Sequence, residues 1–248
     1  MAGRDAIVEL CNQLLDIDSY PDGLPVGLQV PGAEDVQMLV TGVSASLELF
    51  GRAAELGAQM VLVHHGMFYG SGPWPPIDAR EKARLKALFD ADLSLVAYHL
   101  ALDAHPEVGN NALLCDLLGA DGLERFGGIG YLGTFAPPIT LDDLLDTVRA
   151  EIKPDPLVFA AGPERIARIA VISGAAAGYV QPAADAGADC FLTGEPKEQV
   201  MNEAREAGIH FVAAGHYATE VFGVRALGDL LAERFGIDHR FVDLPNPV

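Results

Sequence analysis

The sequence predicts an α/β protein built as two pseudo-symmetric lobes that arose by internal duplication. Three observations predict it. Apolar, strand-like runs alternate with helical stretches across short loops, the order of βαβ units with parallel strands. One order of six elements occurs twice, over about 37–119 and 168–236, with 120–167 connecting the copies. Both copies also place histidines and carboxylates just past their strands.

Taken in order, residues 5–18 read as an amphipathic first helix, and "PDGLPVGLQVPG" (21–32) as a turn-rich segment around a short extended piece. "VQMLVTGVSAS" (36–46) is a strand entering a loop. "LELFGRAAELGA" (47–58) has helical periodicity and stops near Gly57. "QMVLVHHG" is a second strand, "GSGPWPPID" (70–78) a loop, "AREKARLKALFDAD" (79–92) an exposed helix, "LSLVAYH" (93–99) a strand and "NNALLCDLLG" (110–119) a helix. The connection differs in character. "GGIGYLGTFAPP" reads as a strand entering a turn, 140–152 as a helix with Thr140 at its N-cap, and "PLVFAAG" as a short strand. From 168 the first order returns: "RIAVISGAAAGY", "VQPAADAGAD", "CFLTGE", "PKEQVMNEAREAG", "IHFVAAGH" and "RALGDLLAERFG".

Composition bounds the function. The 248 residues suit one large α/β domain or two small lobes sharing a core, and half of them are apolar. No apolar run reaches the roughly 18 residues that cross a bilayer, and the N-terminus lacks a signal peptide's basic start, so a cytoplasmic protein without a membrane partner is expected. Cys11, Cys115 and Cys190 are odd in number and lie in no CxxC pair, as reduced thiols would. The formal charge is −19 with only four lysines, which argues against a nucleic-acid partner. Arg80, Lys82 and Arg84 read as a solvated helix face.

The chemistry sits at the strand ends. "YHLALD" carries His99 and Asp103, and the matched "GHYATE" carries His216 and Glu220, each a histidine and a carboxylate four apart. If the chain turns helical there, both share one face. "VLVHHG" carries His64 and His65, and its counterpart "FLTGE" carries Glu195. Imidazole and carboxylate are ligands for borderline divalent ions. Adjacent histidines point to opposite sides of an extended strand, which suits two ions side by side. His105, His210 and His239 are read as structural, the last two for want of a partner carboxylate.

The stretches "GLQVPG", "VTGVSAS", "VLVHHG", "HLALDAHPEVGNNA", "FLTGE", "AAGHYATE" and "FVDLPNPV" span nearly the whole chain. In these the sequence resembles the dinuclear-metal-centre hexamer family, bacterial proteins labelled homologues of GTP cyclohydrolase I type 2. The resemblance implies two similar lobes with a dinuclear metal site between them, and a homohexameric ring. It puts the metal ligands on His64, His65, Asp103, His216 and Glu220, the two adjacent histidines serving different ions and the glutamate bridging them. His99 and Glu195 fall on positions that line the site without being assured ligands.

Five side chains leave two divalent ions, of Fe, Zn, Mn, Co or Ni type, with open positions, as hydrolases require. The expected activity is hydrolysis of a small polar or nucleotide-like substrate. His99 is the candidate proton carrier, and Glu195 a base or a partner that orients a ligand histidine. The alternative is a non-catalytic, ring-shaped metal-binding regulatory or scaffold protein.

Overall fold

Residues 1–68 and 76–248 are described in the computed structural model; residues 70–75 of the expected 70–78 loop lie outside the described residues. The first half runs β1 (Ala2–Gly3), α1 (Arg4–Leu14), β2 (Gly27–Val30), β3 (Asp35–Val36), β4 (Met38–Ser44), α2 (Leu47–Glu55), β5 (Met60–His65), α3 (Ala79–Asp90), β6 (Ser94–Ala97) and α4 (Leu100–Ala104). It continues with α5 (Asn110–Leu117), β7 (Asp121–Phe126), β8 (Gly130–Ile139), α6 (Leu141–Glu151) and β9 (Leu157–Phe159). The remainder is β10 (Ile166–Val171), α7 (Val180–Asp185), β11 (Cys190–Thr193), α8 (Val200–Ala207), β12 (His210–Ala213), α9 (His216–Phe235) and β13 (Asp238–Phe241).

This is an α/β fold in two units. One comprises Met1–Leu102 with Gly223–Leu244, the other Asp103–Phe222 with Pro245–Val248. The first holds a five-stranded sheet in the order β13-β4-β5-β6-β2, parallel except where β2 pairs with β6. Alternation along its strands turns Val40, Val61, Val63 and Leu95 onto Leu49, Phe50 and Ala53 of α2 and Leu88 of α3. Burying each larger side chain stabilises the unit by about 1.5–3 kcal/mol. Ser46 caps α2 by accepting from the Leu49 amide at 3.1 Å.

The second unit holds six strands in the order β7-β8-β10-β11-β12-β9, of which only β10, β11 and β12 are parallel to one another. Ile169, Val171, Leu192 and Val212 face Leu114 of α5 and Leu144 and Val148 of α6. Ala170, Phe191 and Phe211 face the other way, onto Val180, Ala183, Val200 and Ala204. The expected cap of α6 forms as a reciprocal box between Thr140 and Asp143. The three cysteines are buried free thiols, and burial pushes Cys11 and Cys115 up to about 12.

Several boundaries differ from the sequence reading. Helix α1 stops at Leu14, because Asp16 adopts left-handed φ of 48° before a short turn of 3₁₀ helix at Ile17–Ser19. Residues 127–129 are the turn that precedes a ten-residue strand, Gly130–Ile139, which takes up the rest of the 127–138 segment and is paired antiparallel on both sides, by β7 and by β10. Strands β7 and β13, with the polar sequences "DGLERF" and "DHRF", are sheet edges whose exposed side chains give no apolar signal. Helix α8 begins only at Val200, and α9 runs unbroken from His216.

His239 corrects the expectation that it has no partner carboxylate. Strand β13 lies beside β4, and the His239 Nδ1 meets Asp229 Oδ1 at 2.8 Å, ten residues back on α9. Its Nε2 meets the Thr41 hydroxyl at 2.8 Å. The imidazole thus ties α9, β13 and β4 together, and it lies against Gly228, where a Cβ would fall 2.3 Å from Nε2. Gly228→Ala is expected to overpack this contact and destabilise the protein by about 1–3 kcal/mol, read as a lower urea midpoint with an unchanged slope.

Candidate metal centre

Parallel strands deliver their carboxyl ends to one edge of a sheet, which is where α/β proteins place ligands. In the first unit this edge receives Ser44 from β4, His64 and His65 from β5, and Tyr98 and His99 just past β6. One nitrogen from each of His64, His65 and His99 lies within 4.8 Å of one from each of the others. Ring centroids are 4.7 Å apart for His64–His65, 4.9 Å for His64–His99 and 5.5 Å for His65–His99. The local fold sets each ring. His64 is fully buried, and its Nδ1 lies 3.0 Å from the Tyr98 carbonyl oxygen. A carbonyl only accepts, so Nδ1 carries the proton and Nε2 is the nitrogen His64 can offer. His65 Nδ1 meets the Ser44 hydroxyl at 3.0 Å. His99 Nδ1 meets Asp22 Oδ2 at 2.8 Å.

The second unit gathers its groups at the equivalent edge. Loop residues Ser173 and Gly174 follow β10, Glu195 follows β11, and His216 follows β12 as the first residue of α9. His216 Nδ1 donates to Glu195 Oε1 at 2.5 Å, and its Nε2 lies 3.2 Å from Glu220 Oε1 one turn along the helix. The helix that the His-x-x-x-carboxylate spacing requires is therefore present. Glu220 is 2% exposed. Gly174, with φ of 63°, crosses directly over this pair: a Cβ there would stand 2.4 Å from Glu220 Oε1. The Gly174 carbonyl accepts from the amides of Gly194 and Glu195 at 2.8 and 3.0 Å, and its own amide donates to Thr219 Oγ1 at 3.1 Å. Asp103, 4% exposed, accepts on Oδ1 from Asn110 Nδ2 at 2.8 Å and from the Ser173 hydroxyl at 3.0 Å. Asn111 Oδ1 holds the Ser173 amide at 2.7 Å.

The residues fit divalent ions by the chemistry of their donors. A ligand histidine must be neutral, with its second nitrogen bound to an acceptor that fixes ring and tautomer. His64, His216 and His99 each have Nδ1 bound to such an acceptor, and His216 must in addition give up a proton to coordinate. The sequence reading missed Asp22, Ser44, Asn110, Asn111 and Ser173, which hold the predicted residues in place. Asp22 sits in a Pro-Asp-Gly turn where aspartate is expected for backbone reasons alone. The paired buried asparagines at the start of α5 are the one local signal that pointed to a polar site. His105 and His210 serve loops: His105 Nδ1 accepts from the amides of Glu107 and Val108, and His210 binds the Gly162 amide and the Pro163 carbonyl.

The hydrogen bond to Glu220, then the charges of Glu220 and Glu195, outweigh burial and raise His216 to about 9. The folded value lies above the roughly 6.5 of a free histidine, so this pairing stabilises the metal-free protein fully below about pH 6.5. The contribution fades as pH rises through about 9. A metal ligand must instead be deprotonated. Adding Zn²⁺ to metal-free protein near neutral pH is expected to expel a proton from His216, with the release vanishing above about pH 9. A pH-stat titration measures it, and His216→Gln should lower the release.

The Duf34/NIF3 (NGG1p interacting factor 3) family profile matches residues 2–247. The chain is 46% identical over 246 residues to a Pseudomonas aeruginosa protein named GTP cyclohydrolase 1 type 2 homolog, covering 97% of each. It is 42% identical over 240 residues to the protein of that name from Escherichia coli, covering 96% of this chain and 97% of the other. A structural-genomics structure of protein ybgI, titled as of unknown function, superposes with a TM-score of 0.94 at 41% identity over the full length of both chains. TTHA1606 from Thermus thermophilus superposes with a TM-score of 0.93 at 36% identity, again over the full length of both. With its α/β architecture in two lobes and a match of this extent, the chain belongs to the Duf34/NIF3 family.

Proposed function

We propose that this protein is a dinuclear metal-dependent hydrolase of a small polar or nucleotide-like substrate. The observation that carries the reading is the orientation of the imidazoles: His64 and His216 both have Nδ1 bound to an acceptor, which makes Nε2 the nitrogen that would coordinate, in His216 after it loses the proton it shares with Glu220. His64 and His65 would take different ions, Asp103 and His216 one coordination place each, and Glu220 would bridge. The assignment draws its residues from both copies of the duplication proposed for 37–119 and 168–236. Supporting that duplication, β4-α2-β5-α3-β6 and β10-α7-β11-α8-β12 repeat one order, each with three parallel strands.

The chemistry that divalent ions held by these residues would supply is activation of water at neutral pH. The chain's own residues do the rest. His99 Nε2 takes up a proton and returns it to the leaving atom. Glu195 keeps the proton of His216 on Nδ1 and holds the ring for coordination. Asn110 and Ser173 fix the Asp103 carboxylate through Oδ1. Beside the end of β5, Gln29, Met67, Phe68, Ile77, Arg80 and Arg84 line a cavity of about 730 Å³, within the range for small-molecule sites. Its two arginines give an anionic substrate a cationic wall, although Arg80 also pairs with Glu81 at 2.9 Å. The name shared by the bacterial relatives offers GTP ring opening as one candidate reaction. A ring of six copies and a cytoplasmic setting belong to this proposal. Among the described residues no helix is long and apolar enough to cross a membrane.

Glu220→Ala is expected to remove metal and turnover together, measured as metal per chain and as activity in a panel of phosphatase, amidohydrolase and nucleotide substrates. Metal retained at the wild-type level by this variant would overturn the bridging assignment. Uniform inactivity of metal-replete wild type across the panel would favour a non-catalytic metal-binding protein.

A further inference from the structure

We propose that Asp22 is a positioning residue for His99, holding that imidazole with its proton on Nδ1 and its Nε2 lone pair turned to the His64–His65 pair. The inference rests on the metal-centre reading and deepens it by supplying the group that prepares the proton carrier.

Asp22 lies in the turn between α1 and β2, more than seventy residues from His99 in sequence. Its side chain is 4% exposed, unusual for an aspartate in a loop. Burial disfavours its charge, yet the hydrogen bonds from His99 and the backbone amides of Leu100 and Leu24 prevail and keep the carboxyl below its usual range. One oxygen, Oδ2, receives both His99 Nδ1 at 2.8 Å and the Leu100 amide at 3.2 Å. The second contact matters, because it ties the carboxylate to the first turn of α4 as well as to the ring. The acceptor therefore cannot follow the ring if the ring rotates, and the ring is held in register with the backbone.

The consequence is chemical. An ionised carboxylate accepts and never donates, so the neutral imidazole is confined to the Nδ1–H tautomer. The remaining nitrogen is the one that can take a proton. The His99 ring lies 4.9 Å from His64 and 5.5 Å from His65, and one of its nitrogens is within 4.8 Å of theirs. The arrangement matches the one made in the other lobe by Glu195 and His216, where a carboxylate also fixes Nδ1. The two carboxylates come from unrelated places, a turn in one lobe and a strand end in the other. The shared feature is thus the state imposed on the imidazole.

The test uses full-length protein loaded with Zn²⁺ and labelled with ¹⁵N at histidine, with His99 assigned by loss of its signals in His99→Gln. Wild type is expected to show a protonated Nδ1 and a bare Nε2 at His99. Asp22→Ala, which removes the acceptor, should shift the proton toward Nε2 while zinc per chain stays at the wild-type level, and Asp22→Glu should restore the wild-type pattern. On any substrate that the wild type turns over, kcat should fall about 10- to 100-fold in Asp22→Ala with KM little changed. A wild-type His99 protonated on Nε2 would overturn the inference, as would an Asp22→Ala variant with an unchanged tautomer. So would loss of zinc from a folded Asp22→Ala protein, which would make Asp22 a support of the metal pair and not of His99. If Asp22→Ala does not fold, the wild-type spectrum alone decides. Failure of the hydrolase reading looks different: wild type would bind fewer than two zinc ions or turn nothing over, while the His99 tautomer would still read as stated.

Discussion

One interaction, repeated, sets up the candidate site: an acceptor-only oxygen bound to the Nδ1 of a histidine. The Tyr98 carbonyl does this for His64, Asp22 for His99 and Glu195 for His216. Each bond removes the choice of tautomer and leaves Nε2 as the only basic nitrogen. Without it, an imidazole would spend part of its time with the wrong nitrogen protonated and part in other rotamers, and binding a cation would carry the cost of ordering it. The acceptors come from a strand-end backbone, a turn and a loop, so no single segment of sequence contains the device.

The sheets explain why these oxygens are in place. In the first unit, β5 can present His64 beside the Tyr98 carbonyl because β5 and β6 are parallel and in register, with Val63 opposite Ala97. On its other side, β4 brings Ser44 opposite His65. Strand β4 is in turn held by β13 and by the Thr41–His239–Asp229 chain of hydrogen bonds. In the second unit, the loop after β10 depends on Thr193 and Thr219, whose hydroxyls hold Gly174 from two sides. That loop could not pass so close to Glu220 with any residue larger than glycine at 174.

Much of this was legible in the sequence. The apolar runs of "MVLVHH" and "CFLT" gave strands, and the His-x-x-x-Glu spacing anticipated the first turn of α9, because both signals are local. The edge strands β7 and β13 were not legible, since an edge strand needs only one neighbour and can be polar on both faces. His239 looked partnerless because its carboxylate, Asp229, reaches it only after α9 turns back into β13. Asp22 was invisible for the same physical reason: its residue type is what a turn calls for, and its role exists only once β2 and β6 pair. Ligand residues announce themselves by type and spacing, whereas the residues that orient them are chosen by proximity in space.

The most direct test of the central claim is anomalous diffraction from crystals of full-length protein purified with its metal in place. Two peaks per chain about 3.5–4 Å apart are expected, one against Nε2 of His64 and one against His65. A single peak bound through Nδ1 of His64, or metal bound away from these histidines, would contradict the dinuclear reading.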